Sequence, residues 1–166
     1  MFWLALGLII VVLIFGLVLL LGAPFLPTLS NQIKDIFELI DLKPGDLILE
    51  LGSGDGRILR AAAKRGIKSI GYEANPLLVL YSQFLSWNYR KLTTIRWKNF
   101  WHTSLASADG IYVFLLDPYM EKLDKKIKSE ISKPVKVVSF TFEFPNRRPI
   151  KQINGLRLYL FKPLSK

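Results

Sequence analysis

Leu47-Ile-Leu-Glu-Leu-Gly-Ser-Gly-Asp-Gly56, running on into Arg57-Ile-Leu-Arg-Ala-Ala-Ala-Lys-Arg65, is an apolar run that stops in closely spaced glycines and restarts with helix formers. That order reads as strand, tight loop, helix. Glycine lets the backbone turn sharply and lets a ligand come close to the main chain with no Cβ in the way. The dinucleotide fingerprint G-x-G-x-x-G/A fits Gly52 and Gly54, but its third position is Arg57, and the extra glycine, Gly56, comes one residue early. An acidic residue, Glu50, stands two positions before the first glycine. Rossmann-like folds place a ribose-binding carboxylate about 20 residues on, at the end of the next strand. Lys68-Ser-Ile-Gly-Tyr-Glu73 supplies it, with Glu73 standing 21 positions after Gly52.

The pattern (Asp/Glu)-x-Gly-x-Gly-x-Gly resembles motif I of class I S-adenosylmethionine-dependent methyltransferases. The resemblance implies a Rossmann-like α/β fold: a mostly parallel sheet closed by an antiparallel hairpin at its C-terminal end. It also implies that the loop Gly52, Ser53, Gly54, Asp55, Gly56 packs against the methionine part of S-adenosyl-L-methionine, with Glu50 helping to hold its ammonium end. Glu73 and the adjoining Asn75 complete the near side of this cofactor site.

The chain has 166 residues, room for one domain. Its first 33 residues carry no charged side chain, so the net charge of +10 belongs wholly to the remainder of the chain. A basic surface favours an anionic partner, acidic lipid or nucleic acid, unless it is simply a solvated face. There is no cysteine and one histidine, His102, so neither a disulfide framework nor a His or Cys metal cluster is expected.

Phe2 to Leu21 is an uninterrupted apolar segment of 20 residues, about 30 Å as a helix, the thickness of a bilayer core. No basic residue precedes it and it is too long for a signal-peptide core, which leaves a single transmembrane anchor as the expectation. Positive charge after the segment places the catalytic domain on the cytoplasmic side, or on the matrix side in an organelle. The division expected is an anchor over 1–23, a linker and docking helix over 24–42, and a methyltransferase domain over 43–166. Ser30 is placed to cap a helix over Asn31 to Ile40, with Ile33, Ile36, Phe37 and Ile40 on one face.

Beyond Glu73, Asn75-Pro76 opens a helix to about Arg90 whose aromatics Tyr81, Phe84, Trp87 and Tyr89 are expected in the core. Thr93 to Trp97 is the third strand. Asn99 just after it, with Phe100, lies where methyltransferases contact adenine; Asn99 could accept from the adenine amino group or simply form a turn. Gly110 to Leu116 is an apolar strand suited to the centre of a parallel sheet. It ends in Asp117-Pro118-Tyr119, at the strand end that faces a ligand crevice. Glu121 to Ser132 reads as a charged surface helix, Val135 to Phe142 and Leu156 to Lys162 as strands, and Asn154-Gly155 as a hairpin turn.

From about Pro24 to Ile150 the chain resembles the small membrane-anchored protein-lysine methyltransferases that modify the ATP synthase c subunit and the adenine nucleotide translocase. Leu51-Gly-Ser-Gly-Asp-Gly-Arg-Ile58, Ala61-Ala-Ala-Lys-Arg-Gly66, Gly71-Tyr-Glu-Ala-Asn-Pro76, Phe142-Glu-Phe-Pro145 and Pro149 carry the likeness, and the apolar leader followed by Pro27-Thr28 fits it. The chain departs at Asn99-Phe-Trp101, where the family has an acidic residue before Leu-Trp, and at Asn146-Arg147-Arg148, where it often has an aromatic. What the resemblance implies is methyl transfer to an accessible lysine of a membrane or membrane-proximal protein. Asp117 and Tyr119 are then the candidate catalytic residues, with Pro27, Thr28 and Pro118 at the substrate. Asp117 could instead cap the next helix. Competing readings are a nucleic-acid methyltransferase, since Asp117-Pro118-Tyr119 resembles the motif of amino-group methylases, a small-molecule methyltransferase, or a catalytically silent cofactor-binding scaffold at the membrane. With an anchor in place, anionic lipid is the preferred partner of the basic face and nucleic acid the lesser one.

Overall fold

The computed structural model describes residues 2–21 and 28–163, with the side chains of residues 2–10 and 12 described in the first of these stretches. Helix α1, Phe2–Leu21, is apolar throughout, and its described side chains are exposed. Counted over described residues alone, no helix is long and apolar enough to cross a membrane. The helical backbone of α1 nevertheless runs 20 residues.

Helix α2 spans Ser30–Ile40 and buries Ile36, Phe37, Leu39 and Ile40. It begins one residue earlier than Ser30 as cap would give. The first free N–H groups are met instead by Gln32, whose Oε1 accepts from the Leu29 N–H at 2.9 Å, and the capping position belongs to Leu29. The helix lies against the later strands of the sheet and against the helix that follows the glycine loop.

The sheet has seven strands: β1 Leu47–Leu51, β2 Lys68–Glu73, β3 Thr93–Trp97, β4 Gly110–Val113, β5 Val135–Phe140, β6 Lys151–Ile153 and β7 Leu156–Phe161. Their spatial order is β3-β2-β1-β4-β5-β7-β6, with β1 to β5 parallel and β6 and β7 antiparallel. The crossovers are α3 (Arg57–Ala63) and α4 (Pro76–Leu85) on the β1 to β3 side, and α5 (Met120–Glu130) between β4 and β5. Two apolar clusters sandwich the sheet. One gathers Ile36, Ile40, Ile48, Ile58, Ala62 and Val138 under α2 and α3; the other gathers Leu49, Ile111, Val113, Leu123, Ile127 and Val137 under α5. The crossovers after β1 and β4 therefore leave on opposite faces, which opens the ligand crevice of such sheets at that point.

Several elements end earlier than their apolar runs. β4 stops at Val113 and not Leu116, and a 3-10 turn over Asp117–Tyr119 leads into α5. β5 stops at Phe140 and not Phe142, because Thr141 has φ of 69°, a left-handed conformation that breaks the ladder. α5 covers Met120–Glu130 in place of Glu121 to Ser132, and it buries Asp124. The hairpin forms as Asn154-Gly155 requires, with both residues at positive φ. The main correction concerns α4. It ends at Leu85, with a separate 3-10 turn over Trp87–Tyr89, and the aromatics expected in the core are not there. Tyr81, Phe84 and Trp87 are exposed and Tyr89 is half-buried. The buried side of α4 is Val79 and Ser82, because the helix packs too closely on the glycine loop for large side chains.

Candidate active site

Four parallel strands deliver the candidate residues to one edge. β1 ends in the loop Gly52 to Gly56, β2 in Glu73 and Asn75, β3 in Asn99 and Phe100, and β4 leads to Asp117. Gly52, Gly54 and Gly56 have φ of 98°, 51° and 75°, all unfavourable to residues with a Cβ. A side chain at Gly56 would also lie 2.2 Å from Ser82 Oγ, and one at Gly71 would lie 2.6 Å from Ser53 Cβ. The loop is thus wedged between α4 and β2. Among the described residues, a Cβ at Gly52 would meet nothing within 4 Å.

Glu73 ties the two strand ends together. Its Oε2 accepts from the Gly54 N–H and its Oε1 from the Asn75 N–H, both at 2.8 Å. Each oxygen keeps a second lone pair, so the carboxylate that holds the loop can still accept from a ribose hydroxyl. Asn75 is almost fully buried, and its Oδ1 caps α4 by accepting from Leu77 at 2.9 Å and Leu78 at 3.4 Å.

Glu50 is buried and, among the described residues, its Oε2 has no hydrogen-bond partner; Ser53 Oγ is likewise buried and without a partner among them. Burial pushes the Glu50 carboxyl well above the ordinary carboxylate range, and the negative charges of Asp55 and Glu73 push it further than Arg60 and Arg57 draw it back. A buried carboxylate with an idle oxygen calls for a cationic donor. The α-ammonium of S-adenosylmethionine is such a donor. The residues present therefore fit this cofactor: Glu50 for the ammonium, Ser53 and the glycine loop for the methionine portion, Glu73 for the ribose.

Asp55 is placed differently from the expectation. Burial disfavours its charge, but hydrogen bonds and charge from Arg57, helped by Arg60, outweigh that and hold it below the usual range. Arg57 Nε reaches Asp55 Oδ1 at 3.0 Å and its Nη2 reaches Oδ2 at 2.8 Å. Its Nη1 donates to the Thr28 carbonyl at 2.8 Å. Asp55 thus braces the loop from behind through a guanidinium. Thr28 Oγ1 lies 3.3 Å from the hydroxyl of Tyr112. That tyrosine is buried on β4, paired in register with Glu50, and burial raises its pKa, with Glu50 adding to the rise. Thr28 therefore stands beside the cofactor loop; Pro27 lies outside the described residues.

Asn99 Oδ1 accepts from the Trp101 N–H at 3.1 Å, so it caps the short turn over Phe100–His102. Phe100 is half-buried, 4.6 Å from the Trp101 ring. Asp117, Pro118 and Tyr119 are exposed. No side-chain hydrogen bond or ion pair engages Asp117 among the described residues, and Leu116 and Tyr119, not Asp117, hold the capping positions. Asp117 and Pro118 line a cavity of about 720 Å³ together with Glu121, Glu143, Pro145 and Arg148. Arg147, which also lines it, is fixed by pairing with buried Asp124 and lies 3.9 Å over the Phe161 ring.

Tyr112, Arg57, Arg60 and Asp124 were not picked out from the sequence. Tyr112 had one signal, a tyrosine inside an aliphatic strand. Arg57 entered only as a mismatch to the dinucleotide fingerprint.

The strand order, the glycine loop and the paired acidic residues define a class I S-adenosylmethionine-dependent methyltransferase. A model of the ANTKMT methyltransferase domain matches residues 50–151. The chain belongs to that family. It is similar to the Xenopus laevis lysine N-methyltransferase of the ATP synthase c subunit, 34% identical over 128 residues that make up 76% of this chain and 56% of that one. It is 31% identical to the mouse adenine nucleotide translocase lysine N-methyltransferase, over 78% of this chain and 58% of that protein. A protein-lysine N-methyltransferase of Saccharolobus islandicus is 28% identical over 76% of this chain and 81% of its own length. The chain thus spans little more than half the length of the Xenopus and mouse relatives. Among solved structures, an RNA methyltransferase from Salinibacter ruber in complex with S-adenosyl-L-homocysteine superposes with a TM-score of 0.76 at 26% identity, covering 85% of this chain and 96% of that one.

Proposed function

We propose that the protein transfers methyl groups from S-adenosylmethionine to a lysine of a protein at or in a membrane. The observation that carries this reading is the idle, buried Glu50 carboxylate beside the glycine loop, on the same strand-end edge as the unengaged Asp117. Together they make a cofactor cradle and an open acidic rim within one family domain. The cofactor supplies an electrophilic methyl group. The chain's residues have the other tasks. Glu50 holds the cofactor's ammonium, Glu73 its ribose hydroxyls, and Phe100 the edge of its adenine, while Asn99 fixes the turn that carries Phe100.

A lysine amine attacks only after losing a proton, which costs about 4 to 5 kcal/mol at neutral pH from a reference pKa near 10.4. Asp117 orients the incoming ammonium at the rim, and its exposure gives the proton a path to water. Tyr119 and Pro118 shape the approach to it. A nucleophilic side chain is not required, because the displacement depends mainly on alignment.

We assign α1 as a single transmembrane anchor with the domain on the cytoplasmic or matrix side, on the strength of its uncharged 20-residue length. The Xenopus and mouse relatives carry membrane proteins in their names as targets, which agrees with such an anchor. A second reading, methylation of RNA, has one observation in its favour, the likeness to the Salinibacter enzyme. The deciding experiment is transfer of labelled methyl from S-adenosylmethionine to host membranes by wild type and Glu73→Ala. Label on lysine of a membrane protein with wild type alone supports the reading. Label in RNA, or none in protein while cofactor still binds, overturns it.

A further inference from the structure

Helix α4 is amphipathic the wrong way round. Leu77, Leu80, Tyr81 and Phe84 recur at i, i+3, i+4 and i+7, which puts them on one face, and that face is exposed: Leu80 is 64% and Phe84 78% accessible. Trp87 extends the face at 65%, and Trp97, at the end of edge strand β3, adds to it at 66%. The opposite, buried face is Val79, Ser82 and Ser86. The helix therefore turns its large apolar side chains outward and keeps its small polar ones inside. An apolar surface of this kind on a folded domain marks an interaction site.

Charge selects the occupant. Between Glu73 and Asp109 there is no acidic residue, while Arg90, Lys91, Arg96 and Lys98 fall in the same stretch. Arg90 lies over the Trp87 ring, 4.8 Å from its centroid. Tryptophan and tyrosine with interspersed arginine and lysine suit the boundary between headgroups and acyl chains, where an apolar body and a charged rim are satisfied together. Position selects it too. The chain arriving from α1 reaches the domain at Thr28, whose carbonyl accepts from Arg57, and Gly56, the residue before Arg57, sits directly against Ser82 of α4. The patch and the entry of the apolar leader are neighbours.

We infer that the outer face of α4, with Trp87 and Trp97, is a docking surface for an anionic lipid bilayer, dipping into the headgroup region and holding the strand-end edge of the sheet against the membrane. The inference rests on the membrane reading of α1 proposed for this chain. Docking would present the cofactor crevice to lysines at headgroup height.

The full chain, which has no cysteine of its own, is to be reconstituted in phosphatidylcholine vesicles with and without phosphatidylglycerol. Single variants Phe84→Cys, Ser129→Cys and Val12→Cys would each carry an environment-sensitive fluorophore. Lipid-borne quenchers should quench the label at position 84 in the anionic vesicles, less so without phosphatidylglycerol or at high salt, and leave the label at the exposed position 129 of α5 unchanged. Quenching at 12 but not at 84 overturns the docking surface while the anchor stands. Quenching at neither overturns both. Disulfide-linked dimers of unlabelled Phe84→Cys protein under mild oxidation by air, with no quenching of the labelled protein, would give the surface to a second copy of the chain and also overturn the inference.

Discussion

Glu73 Oε2 accepts the backbone N–H of Gly54 at 2.8 Å, so the carboxylate that ends the second strand also sets the shape of the loop that ends the first. Its other oxygen accepts from Asn75. One side chain thus has an architectural task and a binding task. Glu73→Ala leaves two N–H groups without acceptors, at roughly 1 to 3 kcal/mol each. The expected outcome is a lower Tm together with loss of S-adenosylhomocysteine binding by calorimetry. Glu73→Gln keeps one carbonyl acceptor and should recover part of the stability with little of the affinity.

Glu50 makes the opposite trade. Its pKa is raised in the folded protein by burial and by neighbouring acids. The folded state therefore binds its proton more tightly than the unfolded chain does, and stability falls as pH rises from the unfolded value near 4.3 toward the folded one. Glu50→Gln removes this loss. Melting curves without cofactor should show the variant gaining on wild type as pH rises above about 4.3, while its cofactor affinity drops by about 10- to 100-fold, the worth of a charged hydrogen bond. A variant no more stable than wild type at neutral pH would refute the assignment.

Asp117→Asn should keep cofactor affinity and stability, because the carboxylate holds no other group. The expected loss is in kcat, about 100-fold or more, with the pH optimum moved upward as more of the substrate amine must be deprotonated by solvent alone. Unchanged turnover would remove Asp117 from the reaction.

The tight seam between α4 and the glycine loop can be probed with two substitutions. Gly56→Ala meets Ser82 Oγ at 2.2 Å and adds the strain of a left-handed φ. The single variant should lose about 2 to 4 kcal/mol, and the double variant Gly56→Ala with Ser82→Ala should regain all but the roughly 1 to 2 kcal/mol of backbone strain left behind. Denaturant melts of both would decide it.

Arg147→Ala should be destabilising by about 2 kcal/mol, because it leaves buried Asp124 with Lys128 alone and strips the cover from Phe161. The departure from relatives at Asn146-Arg147-Arg148 is thus, at Arg147, a matter of wall-building. Arg148, by contrast, is exposed and lines the cavity.

The strands that carry the cofactor were legible because each binding residue sits next to its own strand end, so spacing along the chain translates directly into place. β2 and β3 fell where their patterns put them. What escaped was set by contacts between distant segments. Nothing local says that Ser82 must be small to admit the loop, so the sequence pattern alone points the aromatics of α4 inward. Nothing local pairs Asp124 with Arg147 across 23 positions, so α5 read as a plain surface helix. Arg57 was visible as a residue out of pattern, and its role needed Thr28, 29 positions away, to come into view.

That last bond has a practical side. The loop is braced at Asp55 by a guanidinium whose third grip is the main chain at Thr28. A truncation made for solubility that starts at Ser30 would discard the grip along with the leader and yield a domain that folds yet holds its cofactor loosely. Cut two residues earlier, to retain Thr28, the same domain keeps its latch.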